Sequence, residues 1–196
     1  MPFLQNIEFL ENIDALEEKG LKENTYIFFT GDHGLACGEH GLMGKQNMYD
    51  HSMRVPLMVV WPNLPKGKKI DVDIYLQDIM ATTLDIADVE KPAYIEFNSF
   101  MDSAKGKKKK GNYDAIYGTY KEVAQRMIRK DNFKLIIYPK AEKIRLYDLK
   151  NDPMELNDIS SNPLNAKKIK SLFTDLIELQ GSMGDKLDLS SMYKKI

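Results

Sequence analysis

Apolar and polar positions recur along this chain with two periods, and the change from one to the other divides it. Ile7, Leu10, Ile13 and Leu16 fall at helical spacing within residues 5–19, and Gly20 can close that helix as its C-terminal cap. After a polar turn comes "TYIFFT" (25–30), short and rich in aromatic and β-branched residues. It predicts a strand buried on both faces, as in a parallel sheet. "RVPLMVVWP" (54–62) predicts a second buried strand, bounded by prolines. Residues 75–88 predict a helix with Leu76, Ile79, Met80, Thr83, Leu84 and Ala87 on one face. Beyond residue 112 the pattern shortens to "AIYGTY" (115–120), "AQRMIR" (124–129), "FKLIIYP" (133–139) and "IRLYDL" (144–149). Their brief connectors predict an antiparallel meander. Residues 165–180 predict a covering helix with Ile169, Leu172, Phe173, Leu176 and Ile177 as its apolar stripe. The tail "GSMGDKLDLSSMYKKI" reads as loosely held. The whole predicts an α/β sheet with helices, then a small α+β subdomain of four antiparallel strands and one helix.

Composition refines this picture at a few points. A chain of 196 residues has room for one good-sized domain, or for a domain and a small second unit. The boundaries read as 1–100 for the α/β part, 101–112 for an exposed lysine-rich loop, and 113–196 for the α+β subdomain. In that loop Lys105, Lys107, Lys108, Lys109 and Lys110 crowd together and cannot pack. No aromatics interleave them and acidic residues balance them elsewhere, with a net charge of −1, so nucleic acid is not an expected partner. The chain has one cysteine, Cys37, which excludes an intrachain disulfide. "MPFLQNIEFLENIDALEEKG" has neither the basic start nor the continuous apolar run of a signal peptide, and no stretch is long and apolar enough to span a membrane.

The chemistry concentrates in "TGDHGLACGEHGLMGK" (30–45). All three histidines, His33, His40 and His51, lie there or just beyond. Asp32 and His33 follow the first strand at once, and open α/β sheets bind ligands beyond the carboxyl ends of their strands. Asp32 offers a hard oxygen suited to Ca²⁺ or Mg²⁺, and imidazole suits transition metals better. Lys45 adds a point cation that can hold an anionic oxygen. The bland readings are a turn cap for Asp32, a structural histidine for His40, and a surface or capping residue for His51. Cys37 reads as a buried, inert thiol.

Taken whole, "NTYIFFTGDHGLACGEHGLMGKQNMYDHSMRVPLMVVWP" resembles the downstream half of the sulfatases, in the alkaline phosphatase superfamily. "YLQDIMATTLDIADVEKP", "RMIRKDNFKLI" and "RLYDLKNDPMELNDI" resemble the segments that follow in that family, so the similarity runs from about residue 7 to about residue 180. It is nearest to the choline-sulfatase-like and iduronate-sulfatase-like branch. The resemblance implies sulfuric ester hydrolysis at a divalent metal, Ca²⁺, with a formylglycine nucleophile. It implies Asp32 and His33 as metal ligands, and His33 and Lys45 as catalytic groups with Lys45 on the sulfate. Gln125 and Arg126 are implied as substrate contacts from the C-terminal subdomain. The implied substrate is a sulfate ester, a sulfated carbohydrate or a small molecule, and the parent protein is expected to be periplasmic or secreted.

The chain departs from the family in one large respect. No Cys/Ser-x-Pro-x-Arg nucleophile motif occurs, and the family's upstream acidic pair is absent. The expectation is therefore a C-terminal sulfatase part, from a truncated or split gene or a fragment, inactive by itself. Its expected partner is the missing N-terminal half, or a second copy through self-association. Two other readings compete: a phosphodiesterase or phosphonate hydrolase of the same superfamily, and a non-catalytic, degenerate remnant.

Overall fold

The computed structural model describes residues 2–194 apart from Asn63, Pro65 and Val123. In chain order the elements are α1 (Pro2–Glu18), β1 (Ile27–Thr30), β2 (Ala36–Cys37), β3 (Met43–Gly44), α2 (Asp50–Met53), β4 (Leu57–Val60), α3 (Asp78–Ile86) and α4 (Met101–Ala104). Then come β5 (Ile116–Tyr120), β6 (Gln125–Lys130), β7 (Phe133–Tyr138), β8 (Lys143–Asp148), α5 (Ala166–Ser182) and α6 (Ser190–Tyr193). The chain divides into two compact units. One comprises the segments up to Gly31 and Pro56–Ile70, and the other Asp32–Val55 and everything from Asp71.

In the first unit, Gly20 adopts φ +65 and ends α1, with Leu21 N donating to Leu16 O at 2.9 Å. Of the predicted apolar face, Ile13 and Leu16 are half-buried and Leu10 is exposed, and the side chain of Ile7 lies outside the described residues. β1 pairs with β4 antiparallel, Thr30 opposite Leu57, and its four residues are only half-buried. The expectation of a parallel, doubly buried strand is thereby corrected. A short apolar run reports burial and not pairing direction.

The second unit is built on the meander β5-β6-β7-β8, antiparallel throughout as its short connectors require. Side chains alternate between two buried faces. Tyr117, Ile128, Leu135, Ile137 and Leu146 pack against α5 through Ile169, Leu172, Phe173 and Leu176. Met127, Ile136 and Tyr147 point the other way and pack against Met48 and Tyr49. The sheet is thus covered by a helix on one face and by the segment that follows Lys45 on the other. Ile177, expected in the stripe of α5, is 39% exposed, and the buried Gln180 extends that stripe instead.

Two further expectations change. α3 turns Asp78, Ala81 and Thr82 inward and leaves Met80 and Thr83 exposed. The cause is polar: the buried Asp78 carboxylate accepts from Tyr75 N (2.9 Å), Asn98 N (3.0 Å) and Tyr113 OH (2.5 Å), which closes the 98–113 segment over the helix. Burial and the hydrogen bond to Asp78 push the Tyr113 phenol well above its ordinary value. Residues 101–112, read as exposed loop, begin with α4, whose Ser103 and Ala104 are buried, and Lys105–Lys110 are exposed. The tail is not loose either. Gly184 (φ +70) reverses the chain after α5, and Leu189 and Met192 return to the core, with Tyr193 edge-on to Phe173 at 5.3 Å. Lys195 and Ile196 lie outside the described residues.

Candidate functional site

The segment 32–55 belongs to the second unit. It leaves β1 as a tight turn, forms the small hairpin β2–β3, and runs along the sheet into the short helix α2. Gly34 is required where this path crosses itself. Its N–H donates to Ser52 O at 2.9 Å, and a Cβ there would fall 1.9 Å from the carbonyl oxygen of His51. Gly38 (φ +121) in the connection and Gly44 (φ +100) at the end of β3 supply positive-φ backbone within the hairpin.

This path brings Asp32, His33 and Lys45 together. The Asp32 Oδ2 lies 3.3 Å from His33 Nε2, and its Oδ1 accepts from His33 N at 3.0 Å. The Lys45 Nζ contacts His33 Nε2 directly. On the other side of the ring, Nδ1 is 2.9 Å from Gly34 O. Nδ1–H can donate to that carbonyl, while Nε2 faces both the lysine ammonium and the Asp32 carboxylate. The cluster faces solvent: the Asp32 side chain is 86% exposed and that of His33 35%. A carboxylate, an imidazole and an ammonium are thus presented at one surface point, with acceptors for a cation beside a donor for an anionic oxygen.

Behind them the loop is stiffly held. His40, at φ +56, stacks on Tyr49 with centroids 3.9 Å apart, and its Nε2 is 3.2 Å from Met154 O. His51 lies beside Tyr49 at 5.6 Å, half-buried, and burial pushes its imidazole below the ordinary value. His40 is therefore structural as expected, and His51 belongs to the same aromatic stack and is not a surface cap. Cys37 is exposed, contrary to expectation, because the two-residue strand that carries it turns only Ala36 inward. Its N–H donates to Glu39 Oε2 at 2.6 Å, which lowers the Glu39 carboxyl.

The structure does not bring Arg126 to this cluster. Its guanidinium is 2% exposed and chelates Asp185 (2.5 and 3.1 Å), with its remaining N–H groups on Lys121 O, Gln125 O and Glu122 O. Every donor of Arg126 is thus engaged within the fold. Burial raises the Asp185 carboxyl, but Arg126 and Tyr117 outweigh it and hold the group well below the usual carboxylate range. Gln125 donates to Gln46 O at 3.2 Å, next to Lys45.

A pattern of residue types missed the group beneath the loop. Lys134, the second residue of β7, is fully buried, with its ammonium on Asp50 Oδ1, on Glu155 Oε1 at 2.7 Å and on Met48 O at 3.2 Å. Glu155 Oε2 also accepts Asp50 N at 2.6 Å. Burial pushes the Glu155 carboxyl up, against the pull of Lys134. The available signal was a lysine inside the apolar run "FKLII", on the same face of the strand as Ile136.

As metal ligands, Asp32 and His33 offer one carboxylate and one imidazole on adjacent residues. Among the described residues no three His, Cys, Asp or Glu side chains gather as a metal site. A Ca²⁺ shell takes six to eight oxygens, so the pair fits as part of such a shell and does not make one.

Residues 38–182 match the family described as N-sulphoglucosamine sulphohydrolase, C-terminal. The chain belongs to the sulfatases. N-acetylglucosamine-6-O-sulfatase of Bacteroides thetaiotaomicron is 33% identical to it over 184 residues, covering 88% of this chain and 33% of that protein. Arylsulfatase K of Xenopus laevis is 29% identical over 163 residues, covering 76% and 30%. A structure of BT4656 in complex with its substrate D-glucosamine-2-N,6-O-disulfate superposes with a TM-score of 0.79 at 32% identity, covering 97% of this chain and 38% of that one. The α/β sheet with its four-stranded α+β subdomain is thus a sulfatase fold. This sulfatase chain spans about a third of the length of the curated relatives it matches.

Proposed function

We propose that this chain provides the Asp32–His33–Lys45 face of a sulfuric ester hydrolase that acts on sulfated carbohydrate. The observation that carries the reading is the meeting of those three side chains at one exposed point in a sulfatase chain. Asp32 and His33 would hold part of a divalent metal shell, with Ca²⁺ favoured by the carboxylate. A metal bound there would draw charge from the sulfate oxygens. Lys45 binds an oxygen of the anionic group and stabilises the charge that grows on it during transfer. His33 places Nε2 between the Asp32 carboxylate and the Lys45 ammonium, where the ring can pass a proton to or from the reacting group. The nucleophile, a formylglycine, and the remaining ligands would come from residues beyond this chain, since the relatives are about three times longer. On this reading the chain alone is inactive. The substrate class rests on the relatives that act on or bind sulfated glucosamine.

The test is to complete the chain with an upstream sulfatase half and assay it on glucosamine 6-sulfate and on matched aryl sulfate, phosphate and phosphonate esters. Sulfate esters should be hydrolysed in preference. Lys45→Ala should lower kcat by about 10²-fold, the scale of losing one charge-stabilising donor. A preference for the phosphonate ester would replace this reading with that of a phosphonate hydrolase. Unchanged kcat in Lys45→Ala would remove Lys45 from it.

A further inference from the structure

We infer that Lys134 and Glu155, far from Lys45 in sequence and out of reach of any substrate, are the positioning residues that fix His33 and Lys45 against each other. The inference rests on the reading of Asp32, His33 and Lys45 as the reacting cluster. Lys45 and His33 are both exposed, and an exposed contact between a flexible lysine and an imidazole is weak unless the backbone beneath it is held. The grip comes from below. Lys134 and Glu155 take hold of the loop at Asp50 from both sides, through the carboxylate and the backbone N–H, and Lys134 adds Met48 O.

Two short paths lead from that grip to the cluster. Backwards, Met48 and Tyr49 are pinned on the sheet, Tyr49 N donates to Asn47 Oδ1 at 3.1 Å, and Asn47 N donates to Lys45 O at 2.9 Å. Forwards, Asp50 opens α2, whose Ser52 O accepts the N–H of Gly34, the neighbour of His33. One buried ion triad therefore sets the origin of both side chains. Glu155 is aimed at it by its own turn. Asp152 accepts Leu156 N (3.0 Å) and Asn157 N (2.7 Å), which folds "DPMELN" back so that Glu155 stands at φ +57 with its side chain inward. The same turn presents Met154 O to His40.

The experiment uses the 196-residue chain and two nearly isosteric variants, Glu155→Gln and Asp50→Asn. Amide hydrogen exchange and the ring ¹⁵N signals of His33 are read in each, with Lys45→Ala identifying the part of the His33 signal that the lysine produces. In either variant the Gly34 amide should exchange about tenfold faster or more while the β5–β8 amides keep their protection. The Lys45-dependent part of the His33 signal should be lost. Unchanged Gly34 exchange and an unchanged His33 signal in both variants would overturn the inference. So would an equal loss of protection in Gly34 and the sheet, including unfolding, since the triad would then hold the sheet as a whole. Failure of the underlying reading looks different: the His33 signal of the unaltered chain would not respond to Lys45→Ala, while Gly34 exchange would still report on the triad.

Discussion

At the scale of single residues, the exposed cluster and the scaffold beneath it are built from different kinds of position. Asp32, His33 and Lys45 are exposed and close in sequence, their residue types mark them as candidates, and the fold brings them together. Lys134, Glu155, Asp78 and Arg126 are buried and charged, each with a partner distant in sequence, and of these only Lys134, inside its apolar run, carries a local mark. Arg126 is instructive: the resemblance implied it as a substrate contact from the C-terminal subdomain, and in the fold its guanidinium pairs with Asp185. That pair yields a pH prediction. The Asp185 carboxyl lies lower in the folded chain than in the unfolded one, so its stabilisation is complete above about pH 5 and fades as pH falls below about 4. Asp185→Asn should flatten that acid limb of a denaturation curve. At neutral pH it should cost about 3–5 kcal/mol, because the buried guanidinium loses its counter-charge. An acid limb of the same steepness in the variant would assign it to other carboxylates.

At the scale of elements, the α+β subdomain was legible almost strand for strand because alternation and short connectors leave few arrangements open. What alternation could not reveal is that both sheet faces are covered. Lys134 is polar in an inward register, and Met48 and Tyr49 lie in a stretch with no regular period. The helix α3 was misread for a related reason: its inward face is organised around a carboxylate, and a hydrophobicity pattern places carboxylates outside. β1 was recognised as a strand and assigned the wrong partner direction. The helix-covered face sets the stability of the subdomain. Phe173 is fully buried there, so Phe173→Ala should cost about 3–5 kcal/mol and lower the melting temperature of the cooperative transition. A loss below about 1 kcal/mol would mean that α5 is a lightly held lid on the sheet.

At the scale of the whole molecule, the two-stranded sheet of the first unit is too small to stand well in water. It leaves Tyr26, Met58 and Val60 exposed at 42%, 52% and 47%. The chain by itself should therefore associate as its concentration rises, and sedimentation velocity would register this; addition of an upstream sulfatase half should reverse it. A strictly monomeric chain with tight Ca²⁺ binding would contradict both this expectation and the view that its ligand set is partial. The exposed Cys37 has a use in such work. It is the sole thiol and sits on the hairpin that joins Asp32 to Lys45. A single alkylating dye would therefore attach at one known address, and its emission would report what the hairpin meets.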